Sequence, residues 1–150
     1  MIKGPTMITR LKYSLLILLL IGLSACSGSG TKNYSAISQQ IQTEEMGKIF
    51  VSRDKNFAGS AALYQVSING VTAGELGIGE VVTANLQPGS NFLQIDVTGM
   101  LGVGVSPAQE QFENTDDKNR FFIAGIKVGL FSSDLSLIET SESSFRKNLN

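Results

Sequence analysis

The chain has 150 residues, 42% of them apolar, with a formal net charge of −1, no His, no Trp and one Cys. That size suits one domain with a modest core. Without His the usual nucleophile–base pairs and the commonest metal ligand are missing, and a single Cys excludes an internal disulfide and Cys-pair zinc sites.

The composition is uneven. Residues 1–26 hold 16 of the 63 apolar residues, three of the 12 bases and no acid, so the other 124 residues carry 47 apolar residues (about 38%) and a net charge of −4. That remainder has the composition of an ordinary soluble domain and lacks the basic stripe that nucleic acid requires. In the first segment, Lys3, Arg10 and Lys12 precede an apolar run from Leu15 to Ile21, which Gly22, Leu23, Ser24 and Ala25 close. This is the layout of a secretory signal, and the run is too short to span a bilayer as a mature helix. Met7 would also serve as an initiator, because MITRLKYSLLI keeps the basic start.

The ending Leu23-Ser24-Ala25-Cys26 resembles the bacterial lipobox. The resemblance implies removal of residues 1–25 and diacylglycerol on the Cys26 thiol, with the small Ser24 and Ala25 side chains fitting a narrow peptidase cleft. Each buried acyl methylene contributes about 0.8 kcal/mol, so two or three chains anchor a protein stably. Ser27 in place of Asp implies outer-membrane sorting, facing the periplasm, if the cell is Gram-negative. Residues 26–46 are expected to hold the lipidated Cys, a linker and a short helix, and residues 47–150 the folded domain.

Ser27 to Asn33 (SGSGTKN) reads as a flexible Gly/Ser tether with a reach on the order of 15 Å. Tyr34, Ile37 and Ile41 follow with helical spacing, and Asn33 is a suitable N-cap, so Tyr34 to Glu45 is expected to be a short helix packed on the domain rather than on lipid, with an extended linker as the competing reading. From Gly47 the period changes to two. Lys48 to Arg53 is a strand. Ala62, Tyr64, Val66 and Ile68 mark the buried face of a second, and Asn69-Gly70 is a type I′ hairpin signal. Val71 to Ile78 returns as a strand, with Gly74 and Gly77 as bulge positions. Glu80 to Leu86 puts Val82, Ala84 and Leu86 on one face. Pro88-Gly89 marks a turn, and Asn91 to Val97 turns Leu93, Ile95 and Val97 inward. Arg120 to Val128 is the most apolar strand and is expected to be central, with one of Phe121 and Phe122 in the core and the other half-exposed. Leu135 to Thr140 is the last strand, and Ser141 to Leu149 a terminal helical turn or two with Phe145 and Leu149 on one face. Seven strands closed by turns predict an all-β antiparallel sandwich with short N-terminal and C-terminal helices.

Four pieces between Lys48 and Glu139 carry a resemblance: KIFVSR, FAGSAALYQVSINGVTAGEL, LQPGSNFLQIDV and RFFIAGIKVGLFSSDLSLIE. Together they resemble the bacterial lipoprotein domains catalogued as domain of unknown function 2846 (DUF2846). The Y-x-V-x-I-N-G and L-x-P-G pieces also look like the PEGA repeats of bacterial surface proteins. The resemblance implies a prealbumin-like β-sandwich in an envelope lipoprotein, and it transfers no catalytic residues. Gly99 to Asn119 departs from it, being longer and richer in glycine.

Patterns that could carry chemistry are weak. Gly77-x-Gly79 and Gly102-x-Gly104 lack the rest of a phosphate-binding fingerprint. Glu110, Glu113, Asp116 and Asp117 lack EF-hand spacing, and nothing places two of them across a glycosidase cleft. The pairs Ser52/Lys55 and Ser144/Lys147 match S-x-x-K without its companion motifs. No catalytic residue, cofactor or metal site is therefore assigned. The stretch Gly99–Val105 is of more interest, because Met100, Leu101, Val103 and Val105 sit on a glycine-punctuated opening to a loop of about twenty residues, a length uncommon without a function. It closes the sandwich end or contacts a partner or membrane, and Phe57, Phe131 and Tyr64 would extend the patch if they share that end.

The expectation is a non-enzymatic envelope lipoprotein, held at a membrane by Cys26 and working through a protein partner. Binding of a small ligand or glycan beside the Gly99–Asn119 loop is the alternative, weakened for sugars by the missing Trp. An enzyme ranks third.

Overall fold

The computed structural model describes residues 28–42, 47–55, 62–98, 105–115, 118–128 and 133–149. The order is α1 (Tyr34–Gln42), β1 (Lys48–Arg53), β2 (Leu63–Ile68), β3 (Val71–Leu76), β4 (Val81–Asn85), β5 (Gly89–Thr98), β6 (Ala108–Asn114), β7 (Arg120–Val128), β8 (Ser133–Thr140) and α2 (Glu142–Leu149). One sheet runs β4-β1-β7-β8 and the other β3-β2-β5-β6. Over the described residues the fold is all-β, a sandwich with two short helices.

Alternation builds the main core. Ile49 and Val51 from β1 and Phe122 and Ala124 from β7 meet Tyr64, Val66, Leu93 and Ile95 from the facing sheet. Each fully buried aliphatic or aromatic side chain contributes about 1.5–3 kcal/mol. Val82, with Ala84 and Leu86 beside it, joins from β4, as its period-two pattern predicts.

A second core lies on the outer face of the β4-β1-β7-β8 sheet. Phe50, Val81 and Phe121 are covered there by Ile37 and Ile41 of α1 and Phe145 and Leu149 of α2. The Phe50 and Phe121 rings stack at 5.3 Å, and Phe145 meets Phe121 at 5.3 Å. This corrects the expectation for Phe121 and Phe122: both are buried, at 6% and 0% exposure. One ring points into the sandwich and its neighbour points under the helices. β1 is likewise buried on both faces, the condition under which a strand reads as an unbroken run rather than an alternation.

Both helices start on side-chain caps. The Asn33 Oδ1 accepts from the Ala36 N–H at 3.1 Å, and the Ser141 Oγ accepts from the Ser144 N–H at 3.3 Å. Helix α1 is described over Tyr34–Gln42, and the expected continuation to Glu45 lies outside the described residues. In α2, Arg146 pairs with Glu142 at 2.7 Å one turn earlier.

Two departures concern topology. β1 and β7 are parallel neighbours, Val51 opposite Phe122, so the sandwich is not wholly antiparallel. The described residues also hold eight strands rather than the seven expected, because β6 lies inside the stretch read as a long loop and pairs with β5 from Gly89↔Asn114 to Ile95↔Ala108. Its sequence, AQEQFEN, hid it. An edge strand needs little apolar character, and charged or amide side chains discourage further pairing.

Candidate functional site

Cys26 and the preceding Leu23, Ser24 and Ala25 lie outside the described residues, as do Met100, Leu101 and Val103. Val105 is described and half-buried. What the structure does place is the chain just after the proposed attachment residue. Residues 28–33, read from sequence as a free tether, are bonded to the sandwich.

The bonds reach both sheets. The Gly30 N–H donates to the Glu75 carbonyl of β3 at 2.8 Å, and the Glu75 N–H donates to the Ser29 Oγ at 2.7 Å. Thr31 pairs antiparallel with Val81 of β4, exchanging two bonds of 3.0 Å. The segment thus crosses the seam between the two edge strands β3 and β4. Its close approach explains a glycine: a Cβ on Gly28 would stand 2.6 Å from the Glu75 carbonyl oxygen and 2.6 Å from the Glu80 Oε2. Glu80 is 3% exposed. Its carboxylate accepts from the Gly77 N–H at 2.8 Å, and its carbonyl accepts from the Arg53 N–H at 3.1 Å. A buried carboxylate needs such donors. The Tyr34 hydroxyl completes the contact by donating to the Gly79 carbonyl at 2.7 Å.

Beside Glu80, the same end of the sandwich holds a buried cation. Arg53 is 0% exposed. Its guanidinium lies 4.0 Å from the centre of the Tyr64 ring and donates through Nη1 to the Ala62 carbonyl. Burial pushes the Tyr64 phenol above its ordinary value, and the nearby Arg53 charge opposes that rise. Tyr64 is therefore a core residue, 0% exposed, and contributes nothing to a surface patch. Phe57 and Phe131 lie outside the described residues.

At the opposite end, Asn69 and Gly70 adopt φ of 52° and 79°, as a type I′ turn requires. Sequence reading missed Asn91, 1% exposed. Its amide donates to the Gln87 and Gly89 carbonyls at 2.7 and 2.9 Å, and its Oδ1 accepts from the Gln87 N–H and the Asn69 Nδ2, each at 3.1 Å. It locks the Pro88-Gly89 turn to the hairpin. The signal for it was an Asn two residues after a Pro-Gly turn. β5 in consequence begins at Gly89, two residues before the expected Asn91. Next to this network is an open groove of about 320 Å³ lined, among the described residues, by Ile68, Asn69, Val71, Ala73, Ala84, Asn85 and Gln87.

The remaining sequence candidates are dispersed. The Ser52 Oγ is buried and accepts from the Asn148 Nδ2 at 3.1 Å, while the Lys55 Nζ donates to the Leu149 carbonyl at 2.9 Å. Both pin α2 rather than each other. Ser144 belongs to the α2 cap. Glu110 and Glu113 are three apart on β6 and so face opposite sides of the sheet; Asp116 and Asp117 lie outside the described residues. Among the described residues, no three His, Cys, Asp or Glu side chains come together to hold a metal, and no helix is long and apolar enough to cross a membrane.

No catalogued protein family, curated protein or solved structure matches the chain.

Proposed function

We propose that this protein is an envelope lipoprotein, anchored through acyl chains on Cys26, whose β-sandwich serves as a non-enzymatic interaction or accessory module. The observation that carries the reading is Leu23-Ser24-Ala25-Cys26 directly after the basic start and the apolar run. The fold is in keeping with it: a sandwich follows within a few residues, and the Ser52, Lys55 and Ser144 side chains are engaged in holding or capping α2. The mechanism is confinement. A lipid anchor holds the domain in a thin layer and raises its effective concentration toward partners in the membrane or wall. The outer membrane is the proposed site if the cell is Gram-negative, from Ser27.

The test is metabolic labelling with palmitate. The wild-type chain should take up label and Cys26→Ser should take up none; equal labelling of the two would refute lipidation.

The groove beside the hairpin favours a second reading, binding of a small, largely apolar ligand. It is of ligand size, and Ile68, Val71, Ala73 and Ala84 supply its apolar lining. None of the described lining residues carries a ring on which a sugar could stack, so a glycan fits it less well. A ligand screen by chemical-shift perturbation would support this reading if shifts clustered on those residues, and reject it if none moved.

A further inference from the structure

The seven residues after Cys26 have the composition of a loose tether, yet six of them are described and held. Gly30 and Ser29 bond to both backbone groups of Glu75, and Thr31 pairs with Val81. On the far side the chain enters α1 at once, whose Asn33 cap and buried Ile37 and Ile41 fix it to the second core. Both ends of the segment are therefore fastened to the sandwich. Only Ser27 lies between Gly28 and Cys26. Two Cα–Cα steps of 3.8 Å limit that gap to about 7.6 Å, half the reach of a free linker of seven residues.

We propose that residues 28–33 act as a strut that seats the β3–β4 edge of the sandwich on the headgroup layer of the membrane, in one orientation. The inference rests on the lipidation of Cys26 put forward above. A flexible tether would let the domain tumble; a strut fastened within two residues of the acyl chains does not. The β3–β4 edge, with the turn around Ile78, then lies at the bilayer. The opposite edge of the same sheet, β8, stands three strand spacings farther out, on the order of 14 Å. That outer edge and the neighbouring β6 face the partner.

The experiment uses the lipidated full chain in vesicles of phosphatidylethanolamine and phosphatidylglycerol that carry a headgroup-nitroxide lipid. Lipidation consumes the sole native thiol, so one introduced Cys can be labelled with a fluorophore. Ile78→Cys marks the inner turn and Ile138→Cys the outer strand, where Ile138 is 56% exposed. Quenching at position 78 should be severalfold that at position 138, and adding Gly30→Val should bring the two together, because a Cβ there meets the Glu80 Cβ at 2.9 Å. The milder Ser29→Ala, which removes only the bond to the Glu75 N–H, should give an intermediate ratio with an unchanged melting temperature.

Trypsin gives a readout that does not depend on the bilayer. In detergent, cleavage after Lys32 should be slow in the wild type and rise about tenfold or more in Gly30→Val, since proteolysis tracks the opened population. Equal quenching at the two positions in the wild type, or rapid wild-type cleavage at Lys32, would overturn the strut. Absent palmitate label would instead overturn the lipoprotein reading while leaving the trypsin result to decide whether the segment is held.

Discussion

Gly70 meets the strictest backbone demand in the hairpin. Its φ is +79°, with no atom within 4 Å of where a Cβ would sit. Space is therefore not its constraint; backbone conformation is. Gly70→Val should cost about 1–2 kcal/mol, the penalty for an L side chain in the left-handed region, and urea unfolding should show it as a lowered midpoint with an unchanged slope. Tyr64 makes a different kind of residue-scale claim. Its phenol is raised by burial beyond what the Arg53 charge takes back. Above the ordinary tyrosine value near 10.0, the unfolded chain would release this proton while the native chain keeps it. Stability from this group is thus complete below pH 10 and is lost as pH climbs through the folded value. Unfolding of wild type and Tyr64→Phe should show a steeper alkaline decline in the wild type; parallel declines would place the loss elsewhere.

At the scale of elements, the two helices close the outer face of the β4-β1-β7-β8 sheet. Phe145 is the centre of that cover, 0% exposed and in ring contact with both Phe50 and Phe121. Phe145→Ala should cost about 3–5 kcal/mol, lowering the melting temperature by roughly 10 °C or more. Amide exchange should speed up first in α2 and in β7 beneath it, and a loss confined to α2 would mean that the helix adds little to the sheet. The strand pattern of β1, β2, β4, β5 and β7 was legible because alternation or an unbroken apolar run marks burial directly. β6 was not, since its only apolar residues are Ala108 and Phe112 and its pairing comes from backbone groups of β5. The same limit applied to Phe121, whose burial depends on helices more than twenty residues away in sequence at α2 and far earlier at α1.

For the whole molecule, charge and the proposed lipid attachment make separable predictions. Residues 26–150 carry 9 bases against 13 acids, and such a net charge offers no attraction to an anionic bilayer. Flotation with phosphatidylglycerol-containing vesicles should therefore recover lipidated protein and leave Cys26→Ser unbound at any salt concentration. Salt-sensitive flotation of the variant would reveal a basic contact surface instead.

From its order of residues alone, the chain declares the hairpin at Asn69-Gly70 and a β architecture, because each is a local pattern of side-chain size, polarity and period; the proposed export signal and attachment at Cys26 rest on the same kind of local pattern. The tertiary structure decided the rest. It set the parallel pairing of β1 with β7, recruited β6 to an edge, buried both Phe121 and Phe122, and turned residues 28–33 from a linker into a fastened segment. Glycine is the physical reason for that last change. The residue that permits a free chain also permits the closest backbone approach, and composition does not distinguish the two. Only the 2.6 Å between a hypothetical Gly28 Cβ and the Glu75 carbonyl does.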